Sequence, residues 1–150
     1  MRSLTLPNEV RALVNELRDI RKRIRRLERL EGGTTNLVNN SRGPLSPGDV
    51  VVMDAGVENA VTWAGGAAVQ GPMVVVVGGV EEELVKCTKR GYGKIEVVCE
   101  GAAISPGDAI VTAATNGRGQ VDNTATVRNL VGFALESKGA GVVASIEVLV

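Results

Sequence analysis

The chain contains no histidine, and only three of its 150 residues are aromatic: Trp63, Tyr92 and Phe133. Without histidine it lacks the side chain most often used for proton transfer near neutral pH and the commonest metal ligand. Two cysteines, Cys87 and Cys99, are too few for a disulfide framework, and no CxxC spacing suggests a metal site. No apolar run approaches the roughly 20 residues needed to span a bilayer, so no membrane partner is expected. The first residues lack the shape of a signal peptide, and synthesis in the cytoplasm is the default. No G-x-x-x-x-G-K-[ST] loop occurs. No cofactor is expected.

Charge is balanced overall, with 17 basic and 17 acidic side chains. Its distribution is uneven. Residues 1–31 hold nine basic and five acidic side chains, so this segment is +4 and the remainder −4. Such a dipolar chain can face different surroundings at its two ends.

The N-terminal segment carries the clearest pattern. Val10, Leu17 and Ile24 occupy heptad position a, and Leu13, Ile20 and Leu27 occupy position d. Pro7 suits a first helical turn, and Gly32-Gly33 stop the helix. About 24 residues at ~1.5 Å each predict a rod about 36 Å long. A surface helix on a globular core is the alternative, but it usually shows a wider apolar stripe. Here Val14 (e) and Leu30 (g) are the apolar flanking residues. In a parallel coil Glu16 (g) meets Arg21 (e), and Arg23 (g) meets Glu28 (e), both attractively. Arg23-Ile24-Arg25-Arg26-Leu27-Glu28 resembles the Arg-h-x-x-h-Glu motif of short trimeric coiled coils. The expected trimerisation residues are therefore Val10, Leu13, Leu17, Ile20, Arg23, Ile24, Leu27 and Glu28. Three heptads are marginal alone, so the remainder of the chain must supply part of the interface. Arg25, Arg26 and Arg29 could touch phosphate, yet a solvated outer face explains them better. No aromatic lies there to stack on a base, and no nucleic-acid partner is expected.

Residues 32–49 are rich in Gly, Asn, Ser, Thr and Pro and read as a linker or arm. From residue 50 onward the pattern is β. Strands are expected at Val50–Met53, Ala60–Trp63, Met73–Val77, Glu83–Thr88, Lys94–Cys99, Ala109–Ala113, Gln120–Asp122, Leu130–Leu135 and Val142–Val150. Together they predict one compact barrel or sandwich over 50–150. The fold class is thus mainly β: an N-terminal parallel coiled-coil helix (1–31), a linker, and a β head, as a homotrimer. The unbroken Val74–Val77 run predicts burial on both faces. The Gly91-Tyr92-Gly93 turn predicts a hairpin that sets Cys87 opposite Cys99, as two buried thiols or as a disulfide formed after release. Ser46-Pro47-Gly48-Asp49 recurs 59 residues later as Ser105-Pro106-Gly107-Asp108. Each reads as a Pro-Gly turn closed by an aspartate. A catalytic pair of carboxylates explains fewer of these residue types.

The C-terminal half runs Ala103-Ile104-Ser105-Pro106-Gly107-Asp108, Gly117-Arg118-Gly119-Gln120-Val121, Leu130-Val131-Gly132-Phe133-Ala134-Leu135-Glu136 and Ile146-Glu147-Val148-Leu149-Val150. This succession resembles bacteriophage head decoration proteins, the cement and head-fibre proteins, over residues 46–150. The resemblance implies a non-enzymatic homotrimer on the outside of an assembled capsid, with the major capsid protein as partner and the virion as its location. A receptor-binding fibre of a virion is the competing function. An enzyme is the third. Asp54-Ala55-Gly56 resembles one motif of trimeric dUTP pyrophosphatases, but their serine-bearing and glycine-rich phosphate motifs are not apparent.

Overall fold

The computed structural model describes residues 7–65, 71–124 and 127–150; the side chains of residues 25–32 and 127 fall outside that description. The chain forms two compact units, Met1–Gly32 and Gly33–Val150.

The first unit holds α1 (Asn8–Gly32). Its first turn is set by Pro7, whose carbonyl accepts the Val10 N–H at 3.0 Å and the Arg11 N–H at 3.1 Å. Proline has no N–H to leave unpaired at that point. Glu9 sits in the first turn, where a carboxylate favours the helix dipole.

The second unit is two closed five-stranded barrels in tandem. The first contains β1 (Thr34–Asn39), β2 (Val50–Met53), β3 (Ala60–Trp63), β4 (Met73–Val77) and β5 (Leu84–Thr88), arranged β1-β3-β2-β4-β5. The second contains β6 (Lys94–Cys99), β7 (Ala109–Thr112), β8 (Gly119–Val121), β9 (Leu130–Ala134) and β10 (Ala144–Leu149), arranged β6-β8-β7-β9-β10. The order is the same, shifted by five strands. Even the parallel pair recurs, β1 with β3 and β6 with β8.

The Ser-Pro-Gly-Asp echo is therefore the visible trace of a whole-barrel repeat. Gly48 N–H donates to Val75 O at 2.9 Å, and Gly107 N–H to Ala134 O at 2.8 Å. The bridge between Leu45 and Gly79 recurs between Ile104 and Lys138. Both turn glycines hold φ +92°, a left-handed value that a side chain disfavours.

Several expectations are corrected. Residues 32–49 contain β1, which closes the first barrel by pairing with β3 and β5. Its sequence, Thr-Thr-Asn-Leu-Val-Asn, buries Leu37 and the polar Asn39, so it carries little apolar signal. The head is two barrels rather than one. Strands β5 and β6 do not form a hairpin: β5 pairs with β1 and β4, and β6 with β10 and β8. Cys87 lies in the core of the first barrel, and Cys99 in a second cluster; both are free and buried. Barrel closure outweighs the local turn, because each strand gains two partners by pairing within its own repeat. In the valine run Val74 and Val75 are fully buried, but Val77 is 51% exposed at the end of β4.

The barrels share a core. One cluster joins Val50, Ala64 and Val74 of the first barrel to Val97, Ile110, Val131 and Val148 of the second. Backbone bonds cross the joint: Val50 N–H donates to Gly117 O, and Gly117 N–H to Ala64 O, each at 2.9 Å. Buried apolar area and fixed bonds together make the tandem a single body.

Candidate interaction surfaces

The expected trimerisation residues lie on α1. Val10, Leu13, Leu17, Ile20 and Ile24 are all between 39% and 56% exposed, at a and d spacing along one helix. Arg23 is exposed beside them. The side chains of Leu27 and Glu28 lie outside the described residues. An apolar row of this kind left in water forfeits roughly 25 cal/mol for each Å² that a partner helix would cover.

Asp49 and Asp108 are not brought together; each closes its own turn. The Ser46 N–H donates to Asp49 Oδ2 at 2.7 Å, and the Ser105 N–H to Asp108 Oδ2 at 2.8 Å. Their settings differ. Burial raises the Asp49 carboxyl above its ordinary 3.8, against the Ser46 bond that lowers it. Asp108 is held below 3.8 by the Ser105 N–H and by the Asn123 amide. The first turn abuts the second barrel, where Val98 N–H donates to Gly48 O at 3.1 Å.

Two surface features stand out on the barrels. One is the β4–β5 turn, where Val80 and Leu84, 56% and 66% exposed, flank Glu81, Glu82 and Glu83. The other is a groove of about 540 Å³ between the barrels, walled by Met73, Leu130, Phe133 and Leu149 and edged by Lys89 and Arg90. Among the described residues no cluster of three or more His, Cys, Asp or Glu could hold a metal ion. No described helix is long and apolar enough to cross a membrane.

This arrangement has a structural counterpart. The N base of head fiber gp8.5 from bacteriophage phi29 has a similar fold. The likeness has a TM-score of 0.51 at 13% sequence identity, covering 77% of this chain and 92% of that one. No family model matches the chain, and no curated protein matches it. At that identity the likeness shows the fold.

Three features of the head escape a reading of the sequence. Trp63 stacks over Gly117 at the joint between barrels. Asn39 is fully buried and donates to Gly43 O at 2.9 Å and Gly79 O at 3.1 Å. At the matching pole of the second barrel Lys138 is buried, and its ammonium donates to Gly101 O, Gly139 O and Val142 O at 3.2, 2.8 and 2.9 Å. The Ser-Pro-Gly-Asp repeat was the one signal that could have led to these poles, since Leu45 and Ile104 sit beside it.

Proposed function

We propose that the chain is a non-enzymatic structural protein of a phage virion, a homotrimer that decorates the outer capsid surface. In this reading three α1 helices form a parallel coiled coil. The tandem barrels make the head, and the major capsid protein is the partner. The observation that carries the reading is the exposed row Val10, Leu13, Leu17, Ile20 and Ile24. Such a row loses free energy in water and recovers it against copies of itself. Glu16 with Arg21, and Arg23 with Glu28, favour the parallel arrangement. The fold likeness to a head-fibre base supports the placement on a virion. Three linked copies convert weak identical contacts with the shell into avid attachment.

The test has two steps. Sedimentation equilibrium of the full chain should give three times 15.6 kDa. The trimer should then bind isolated shells that lack it, saturably and with fixed stoichiometry. A monomer at micromolar concentration removes the basis of the reading. Attachment to host cells without attachment to shells assigns the chain to a receptor-binding fibre instead.

A further inference from the structure

We propose that the acidic β4–β5 turn of one copy docks into the inter-barrel groove of the next, so that the heads associate head to tail. The inference rests on the trimer reading above and names the head surface that serves it.

The two surfaces match in chemistry. The groove is apolar at its floor and cationic at its edge. Phe133 is 48% exposed there and Leu149 46%. Lys89 and Arg90 are exposed, and among the described residues neither has a carboxylate partner. The turn inverts this pattern. It presents Val80 and Leu84 as apolar flanks around three glutamates. Glu83 is committed to its own turn, accepting the Val80 N–H at 3.0 Å. Glu81 and Glu82 are left facing water. Glu82 holds φ +69°, a left-handed backbone that few side chains adopt, and its N–H donates to Asn39 O of β1 at 2.8 Å, which fixes the turn at that end of the barrel. Apolar flanks would fill the groove while Glu81 and Glu82 meet Lys89 and Arg90.

Position excludes the contact within one chain. Met73 opens β4 at the groove and Val77 closes it at the turn; Leu84 opens β5 at the turn and Thr88 closes it at the groove. Turn and groove thus lie at opposite ends of the same two strands, about 13 Å apart at ~3.3 Å per residue. A surface that cannot meet its complement on its own chain meets it on another copy. The contact is heterologous, and a closed ring satisfies every turn and every groove. A chain with three aromatics keeps Trp63 at its internal joint and leaves Phe133 uncovered, where a partner's side chains would find an anchor.

The test uses the full chain. The pair Val80→Cys with Leu149→Cys, mildly oxidised, should give covalently linked dimers and trimers on a non-reducing gel; either substitution alone should give none. Cys87 and Cys99 are buried and do not compete. Separately, Lys89→Glu with Arg90→Glu should raise the dissociation concentration of the trimer roughly tenfold at low ionic strength. Adding Glu81→Lys and Glu82→Lys to the same chain should restore it. Unchanged Trp63 emission shows that the barrels persist in each variant. A trimer in which the paired cysteines do not link, or in which all charge variants dissociate alike, overturns this docking and leaves the trimer standing. A wild-type monomer overturns both.

Discussion

The backbone of Gly117 lies beneath the indole of Trp63, so close that a Cβ on Gly117 would fall 2.5 Å from Cζ3 and 2.6 Å from Cε3. Gly117 also holds φ +79° and exchanges backbone bonds with Val50 and Ala64 across the joint. Gly117→Ala therefore carries two costs, a left-handed alanine and an overpacked ring, together roughly 2–4 kcal/mol. Gly107→Ala is the control. Its φ is +92° but nothing lies within 4 Å of the added methyl. It should cost about 1–2 kcal/mol. Urea unfolding followed by Trp63 fluorescence measures both, and equal losses would show that the ring does not clamp the joint.

The seam on α1 gives a second prediction. Leu17→Asp with Ile24→Asp places carboxylates at two a positions. Burying them against apolar neighbours should weaken the trimer by roughly a hundredfold or more. The barrels have their own cores and should keep their Trp63 emission. Sedimentation equilibrium would show monomers with folded heads. Loss of the head signal along with the trimer would mean that the barrels need the helix to fold.

What the sequence made legible follows from the range of each interaction. The heptads of α1 and nine of the ten strands are local patterns, and they lie within a residue or two of their expected bounds. The strand β1 was missed because its inward positions are Leu37 and Asn39, and a buried asparagine looks like a loop residue until Gly43 and Gly79 are seen accepting from it. Doubling of the barrel showed only at Ser46–Asp49 and Ser105–Asp108. Turns constrain residue type tightly, while strands accept any β-branched residue. The exposed seam was foreseeable from spacing. The groove was not, because Met73 and Phe133 are 60 residues apart and meet only through the joint.

Burial sets the chemistry of the thiols. Desolvation pushes Cys87 and Cys99 up to about 11, with Lys138 lowering Cys99 slightly. Thiolate is the reactive form, so both should resist alkylation at pH 8 in the native protein. Mass spectrometry after brief alkylation should find no adduct on the folded chain and two on the chain in guanidinium. Their placement in separate barrels predicts no intramolecular disulfide on oxidation of the native protein.

Acid should destabilise the head, and the aspartates of the two equivalent turns, Asp49 and Asp108, should contribute with opposite sign. Asp54, Asp108 and Asp122 are lowered below 3.8 by local hydrogen bonds, and Glu100 below 4.5 by Thr115 and Arg118. Each stabilises the fold above its ordinary value and loses that contribution as pH falls through its lowered one. Asp49 is raised, so it opposes folding when charged and relieves that cost as pH falls. Thermal midpoints should therefore hold above about pH 5 and drop below about pH 4. Asp108→Asn should shallow the drop. Asp49→Asn should raise the midpoint at pH 7 relative to Asp108→Asn. The reverse ranking would mean that the joint does not desolvate Asp49.

Lys138 offers the sharpest test of how the second barrel holds its pole. Its ammonium is the common donor to three carbonyls on two loops, and the residue is only 6% exposed. Gly101 lies in the β6–β7 connection, while Gly139 and Val142 belong to the β9–β10 connection, so the lysine reinforces from its side chain two loops that backbone bonds already join. Lys138→Met keeps the aliphatic stem and removes the charge and the donors. Carbonyls stripped of a charged donor in a buried site should cost roughly 2–3 kcal/mol. Lys138→Arg retains the charge but places a wide planar fork where a compact ammonium fits, and should recover only part of the loss. Hydrogen exchange separates this from a general loss of charge: in Lys138→Met protection should fall first at Ile104 and Gly141, whose N–H groups bond to Lys138 O and Gly101 O at 2.9 Å, while Leu45 and Gly79 in the first barrel keep theirs. A uniform fall across both barrels would show that the lysine acts on the whole head rather than on its own pole.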